Sequence, residues 1–187
     1  MPYPQKITAQ AILTVAIVHL ERQSAASLSL RAIAADLQVA PNALYRYYAD
    51  RSMLMAAIAE EGTRVLLQTL QQASKNKVGV DAAQGMAMAY LTFAREHPEL
   101  YKVIMSQPDQ QEHQQAAHEE LWEYVVGVAS EVVGRKKAFE AAVAFWGFLH
   151  GMIALEQLHM YGPRKPQDGI AFGLQALLQG MAASEDD

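Results

Sequence analysis

Apolar residues recur at helical spacing along almost the whole chain, as in Ile7, Ala11, Val15 and Val18, and no stretch alternates with period two for long enough to make a strand. That pattern leaves little room for a sheet and predicts an all-α protein. Breaks at 23–28, 38–41, 49–50, 76–80, 97–98, 106–110, 134–137 and 161–166 divide the chain into about nine helices. Ser29, Asp50 and Asp81 each offer a side-chain oxygen to an unpaired first-turn amide, and Pro41 suits a first helical position, where its missing N–H costs nothing. The Gln-rich stretch at 107–115 reads as an exposed loop entering a helix, and the acidic end at 184–187 as a frayed tail.

With 187 residues, the chain is long enough for one domain, or for a small domain joined to a larger one. It has no cysteine, so disulfides, thiolate metal clusters and cysteine nucleophiles are excluded. No run reaches about 18 consecutive apolar residues, and a start with two prolines in four residues lacks the pattern of a secretory signal. A soluble, cytoplasmic protein without a membrane partner is expected. The net charge of −5 argues at first against a polyanionic partner, because phosphate binding is driven by Lys and Arg. Residues 1–58, however, hold Lys6, Arg22, Arg31, Arg46 and Arg51 against only Glu21, Asp36 and Asp50. The acid lies in the remainder, so the two parts are expected to meet different partners.

Short helices are expected between Ser29 and Tyr48, where Leu30 to Leu37 and Pro41 to Tyr48 are joined by a tight break. Two short helices with a turn of three or four residues match the helix-turn-helix, whose second helix enters the DNA major groove. Ile33, Leu37, Val39, Leu44 and Tyr48 supply a small core, which leaves Asn42, Ala43, Tyr45, Arg46 and Tyr47 exposed. The alternative is an ordinary bundle corner with Tyr45, Tyr47 and Tyr48 as core aromatics.

The run SLRAIAADLQVAPNALYRYYADRSML at 29–54 resembles the DNA-binding signature of the TetR family of bacterial transcriptional regulators. The likeness covers Ile7 to about Gly62, roughly a third of the chain. It implies a three-helix DNA-binding domain at 1–60 and a larger effector-binding and dimerisation bundle at 61–187. It further implies that Pro41, Asn42, Ala43, Tyr45, Arg46 and Tyr47 face the groove, that Ser29 and Tyr47 touch phosphates, and that Arg51 stands where the family usually has a backbone-gripping lysine. Two positions depart from the family pattern: Gln38 stands at or beside the usual turn glycine, and Ala40 replaces a common capping serine.

A second, shorter likeness joins Tyr90 to Met105 with Trp146, His150 and Gly151, and resembles a regulator subgroup named for a Trp, His and Gly. In this portion Phe139, Val143, Trp146, His150 and Ile153 share a helical face expected to look into the bundle. Phe93, His97, Tyr101, Met105, Trp122, Trp146 and His150 are the candidate effector contacts. His150 reads more readily as a hydrogen-bonded core histidine, and Met86, Met88, Met152 and Met160 as core filler. Ala144, Gly147, Gly151, Ala154, Gly169, Gly173, Ala176 and Gly180 let backbones approach closely, through a two-fold dimer interface or packing within one chain. A homodimer would read an approximately palindromic operator, and a small-molecule effector would alter the separation of its two heads.

Catalysis finds no support. A di-iron bundle needs two Glu-x-x-His motifs, and only Glu156 with His159 has that spacing. No other cluster has metal-ligand spacing, no phosphate-cradling glycine loop or nucleophile elbow occurs, and no cofactor or metal is expected. A helical protein-binding module without DNA affinity would explain the acidic portion, but not the exposed Tyr45, Arg46, Tyr47 and Arg51. The expected function is a one-component transcriptional regulator, a repressor released by its effector.

Overall fold

The computed structural model describes residues 7–106, 115–163 and 166–183, and among them it holds nine α-helices, one single-turn 3-10 helix and no strand. Residues 107–114 of the Gln-rich stretch and the tail at 184–187 lie outside the described residues. The chain divides into two compact units, the first drawn from Met1–Val65 and His97–His118, the second from Leu66–Glu96 and Glu119–Asp187.

In the first unit, α1 (Ala9–Gln23) opens at Thr8, whose Oγ1 accepts from the Ala11 amide at 3.1 Å, and buries Ile12, Leu13, Ala16, His19 and Leu20. A 3-10 turn (Ala25–Ser27) leads to α2 (Leu30–Asp36), where the Ser29 hydroxyl accepts from the Ala32 amide at 3.1 Å as expected. The turn to α3 is a Schellman closure built without glycine: the Gln38 amide donates to the Ala35 carbonyl at 3.0 Å, and the Val39 amide to that of Ala34 at 2.9 Å. Gln38 itself takes the left-handed conformation, φ 57°. It stands where the turn requires glycine-like freedom, at a cost of about 1 kcal/mol.

Helix α3 (Pro41–Tyr45) places Pro41 in its first turn and has no side-chain cap at Ala40. It ends three residues sooner than the periodicity suggests, because the Tyr47 and Tyr48 amides both converge on the Leu44 carbonyl, at 2.9 and 3.0 Å. Tyr48 is buried there, and burial raises its phenol above the ordinary range, with Glu61 and Glu60 adding to the effect. At the start of α4 (Arg51–Ser74), Asp50 accepts from the Met53 amide at 2.9 Å, fulfilling its expected capping role. Helix α6 (Pro98–Met105), also in this unit, is short too, so brevity is not confined to the helix-turn-helix.

The second unit contains the C-terminal part of α4, α5 (Gly79–Glu96), most of α7 (Gln115–Val133), α8 (Ala138–Gln157) and α9 (Gln167–Ala183). Asp81 does not cap α5. The helix begins earlier, where Gly79 turns at φ 53° and its amide donates to the Glu131 carboxylate at 2.9 Å, leaving Asp81 inside the first turn near the positive end of the helix dipole. Helix α5 is the core element, burying Ala82, Ala83, Met86, Ala87, Tyr90, Leu91, Phe93 and Ala94. At its far end Arg95 grips Glu156 of α8 through Nε at 3.0 Å and Nη2 at 2.8 Å.

Helix α8 overturns one expectation. Its inward face is Ala138, Ala141, Ala142, Phe145, Leu149 and Ile153, whereas Phe139, Val143 and Trp146 are exposed and His150 is half-buried. The helix is apolar nearly all the way round, with a mean hydropathy of 1.5, long and apolar enough by composition alone to cross a membrane. Such a helix has no polar face to give away its orientation, and the alanine side can approach the core most closely. Met86 is core filler, but Met88 and Met160 stand in solvent.

Candidate nucleic-acid interface

The first unit's helix-turn-helix separates its residues as the pattern requires. Ile33 and Leu44 are completely buried, Tyr48 nearly so, and Leu37 and Val39 half-buried. Pro41, Asn42, Tyr45, Arg46 and Tyr47 are exposed and Ala43 is half-exposed. Tyr45 and Tyr47 keep 45% and 41% of their surface in solvent, so they are not the core aromatics of an ordinary bundle corner.

Charge is sorted by what each group bonds. All three acidic residues before position 58 are engaged by internal donors: Asp36 with His19 Nδ1 at 2.9 Å, Asp50 with the Met53 amide, and Glu21 with the amides of Glu99 and Leu100 at 3.3 and 2.9 Å. Arg22, Arg31 and Arg46 are exposed and make no hydrogen bond or ion pair with a described residue. The modest positive count of this region therefore understates its outward character. Its carboxylates are partly neutralised by N–H donors, while its guanidiniums remain available to an external anion.

Three expected phosphate contacts also hold the unit together. The Ser29 oxygen caps α2, and its hydroxyl proton can still be donated. Tyr47 donates its phenolic proton to the Ile7 carbonyl. Arg51 donates from Nε to the Leu28 carbonyl at 3.0 Å and from Nη2 to that of Ala25 at 2.6 Å, so two of its N–H groups brace the chain leading into α2. The planar fork makes the two contacts from two nitrogens held at fixed spacing, where a lysine would have to make both from one ammonium.

His19 and Glu21 had no role in the sequence reading. His19 could have been noticed, since it shares the buried stripe of Ile12, Ala16 and Leu20. Glu21 could not, because its partners lie 78 and 79 positions further on.

Of the candidate effector contacts, the second unit brings Trp122, Trp146 and His150 together with Phe139. Trp122 meets Trp146 edge-on at 5.7 Å and Phe139 at 6.2 Å, and Trp146 stacks on His150 at 5.4 Å. Phe93 is buried in α5, whereas His97, Tyr101 and Met105 belong to the first unit, with Tyr101 buried and the other two half-buried. A groove of about 490 Å³ runs between α5 and α9, lined by Val80, Gln84, Met88 and Leu174 among others, and another of about 540 Å³ lies between α8 and α9. None of the seven candidates lines either groove.

The small residues of α8 and α9 divide. Ala144, Gly147, Gly169, Ala176 and Gly180 are exposed, Gly151 and Ala154 half-exposed. A β-carbon added at Gly147, Gly151, Gly169 or Gly180 would meet nothing within 4 Å. Gly173 differs, because a β-carbon there would lie 2.7 Å from the Phe148 ring. It serves packing between α8 and α9 within one chain.

The chain is similar to known proteins in sequence and in fold. Residues 83–181 match the family model described as tetracyclin repressor-like, C-terminal domain. An uncharacterized HTH-type transcriptional regulator of Mycobacterium tuberculosis is 27% identical over 156 residues, which cover 82% of this chain and 72% of that protein. Among solved structures, a Rhodococcus sp. RHA1 protein of unknown function is 23% identical with a TM-score of 0.85, over 97% of this chain and 99% of the other. A TetR variant from Acinetobacter baumannii AYE, in complex with minocycline, is 20% identical with a TM-score of 0.65, over 94% and 96% of the two chains.

Proposed function

The chain belongs to the TetR family of DNA-binding transcriptional regulators, and on that premise we propose that it is a cytoplasmic, homodimeric repressor whose operator affinity falls when a small molecule occupies its C-terminal bundle. It is a regulator and not an enzyme. Residues 1–60 are taken as the DNA-binding part and 61–187 as the effector and dimer part. The observation that carries the reading is the sorting of charge in the first unit, with Glu21, Asp36 and Asp50 each bonded to a donor of the unit and Arg22, Arg31 and Arg46 exposed and bonded to no described residue, beside the exposed Asn42, Tyr45 and Tyr47.

Within this reading, Pro41, Asn42, Ala43, Tyr45, Arg46 and Tyr47 meet base edges and methyl groups, while Ser29, Tyr47 and Arg51 fix the register on phosphates. Tyr47 would exchange its bond to the Ile7 carbonyl for one to phosphate. Two such heads must reach successive major grooves roughly 34 to 36 Å apart, which calls for a two-fold dimer. The exposed stripe of Val143, Ala144, Gly147, Gly151 and Ala154 on α8, with Gly169, Ala176 and Gly180 on α9, is the assigned interface. A helix that is apolar on its outer face as well as its inner one needs a second partner, and a second copy of the chain supplies it without any membrane. The effector is assigned to the second unit, with contacts from Phe93, Trp122, Trp146 and His150. The minocycline complex of the Acinetobacter relative supports a ligand in a bundle of this fold. Such a ligand shifts the equilibrium only by its differential affinity for the two states.

Gel retardation of duplex DNA from the region upstream of the protein's own coding sequence tests the reading. Binding at low salt should weaken with a log-log slope near −5 for about six phosphate contacts, and Arg46→Ala with Tyr47→Ala should abolish the shift. No retardation by the parent protein, together with no effect of the double variant, would favour a helical protein-binding module without DNA affinity.

A further inference from the structure

Helix α6 does not cap its own start. His97 makes no capping side-chain bond, and Pro98, in the first turn, has no N–H to offer. The next two amides, of Glu99 and Leu100, donate instead to the two carboxylate oxygens of Glu21, a residue of α1. Gly62 of α4 closes the other side, since a β-carbon there would lie 2.8 Å from Leu100 Cδ1 and 3.0 Å from Ile104 Cδ1. Two positions before Glu21, and on the opposite side of α1, His19 bonds Asp36 at the end of α2. Within a single turn, α1 thus holds both the helix that precedes the recognition turn and the first turn of α6.

The grouping of α6 gives that hold a consequence. Along the chain α6 follows α5 after the single residue His97, yet α5 belongs to the second unit and α6 to the first. We propose that Glu21 is a positioning residue for operator recognition: by gripping the first-turn amides of α6, it fixes the stance of the α1–α2–α3 framework that presents Asn42 and Arg46. This rests on the DNA-binding reading above. Glu21 touches no DNA, and its carboxylate repels phosphate at long range. Removing its charge alone should therefore tighten binding to every duplex, whereas losing its grip on α6 should weaken binding to the preferred duplex only.

The opposite signs make the test decisive. The parent protein, Glu21→Gln and Glu21→Ala are compared on a duplex selected by the parent from a random pool and on its scrambled counterpart, with amide hydrogen exchange at Glu99 and Leu100 and thermal unfolding measured alongside. Glu21→Ala should unfold cooperatively, exchange the Leu100 amide faster, lose about tenfold in affinity for the selected duplex, a loss comparable to that of a charged helix cap, and bind the scrambled one slightly more tightly because a carboxylate is gone. Glu21→Gln retains one acceptor oxygen but turns an N–H donor toward the second amide, and should lose about threefold. Faster exchange with unchanged discrimination in either variant overturns the proposal. So does an equal change on both duplexes. If Glu21→Ala does not fold, Glu21→Gln decides by the same criteria. A parent protein that selects no duplex overturns the DNA-binding reading itself, a result distinct from these.

Discussion

Helices α3 and α8 both leave aromatic side chains in solvent, and what surrounds those aromatics differs. Beside Tyr45 on α3 and Tyr47 just past its end stand Asn42 and Arg46, the latter bonded to no described residue, with further arginines nearby in sequence. Beside Phe139 and Trp146 on α8 stand Val143, Ala144 and Gly147, and the only charged residues of the whole helix are Glu140 and Glu156. Donors, positive charge and rings on one short helix and its C-terminal end suit a polyanion with readable edges. Rings beside glycines with open space above them suit another helix at close range. Exposed aromatics alone thus carry no assignment; their neighbours do.

The largest effect that would break this contrast is expected on α8. Gly147→Glu with Gly151→Glu places carboxylates where a single chain has room for them, and replacing helical glycine favours the isolated helix. Sedimentation velocity should show a monomer, and operator affinity should fall by about 100-fold or more as the second head is lost. A dimer that survives both substitutions would remove α8 from the interface. At the end of α3, Arg46→Ala should cost about 1 to 3 kcal/mol on the preferred site and change which base is favoured at its position, leaving the sedimentation coefficient as in the parent.

A smaller pair of substitutions sharpens the role of Arg51. Arg51→Ala should lower the salt slope by about one on all sequences alike. Arg51→Lys should keep that slope while lowering unfolding free energy by about 1 kcal/mol, because the fork to the Leu28 and Ala25 carbonyls is gone. The smallest effect is at Tyr48, the buried counterpart of Tyr45 and Tyr47. Its phenol is held neutral by burial and by Glu61 and Glu60, so the folded chain binds the proton more tightly than the unfolded one. Stability from this group is intact below pH about 10 and is lost as pH rises above it. In denaturant titrations Tyr48→Phe should show a shallower decline than the parent across that range.

Much of the first unit was legible from the chain because its signals are local. Ser29 and Asp50 cap amides three residues away, Pro41 needs only its own ring, and Ile33 and Leu44 follow a period set by the helix itself. Gln38 accepted a glycine's conformation because two backbone bonds hold it there. Asp81 misled because Glu131, 52 positions from Gly79, moved the start of α5. On α8 the period was visible but its phase was not, since apolar residues on every side give the pattern no polar reference.

The sequence by itself determined that the protein is all-α, that a turn at 38–41 joins two short helices, and that positive charge gathers at the N-terminal end. Each depends on residues within a few positions of one another, where backbone geometry alone relates them. Only the tertiary structure decided that Glu21 engages the amides of Glu99 and Leu100 and so caps α6 in place of His97, and that α8 keeps its alanines inside and Trp146 at the surface. Those outcomes hang on partners tens of residues away and on which apolar face packs most closely, and neither is encoded in local spacing.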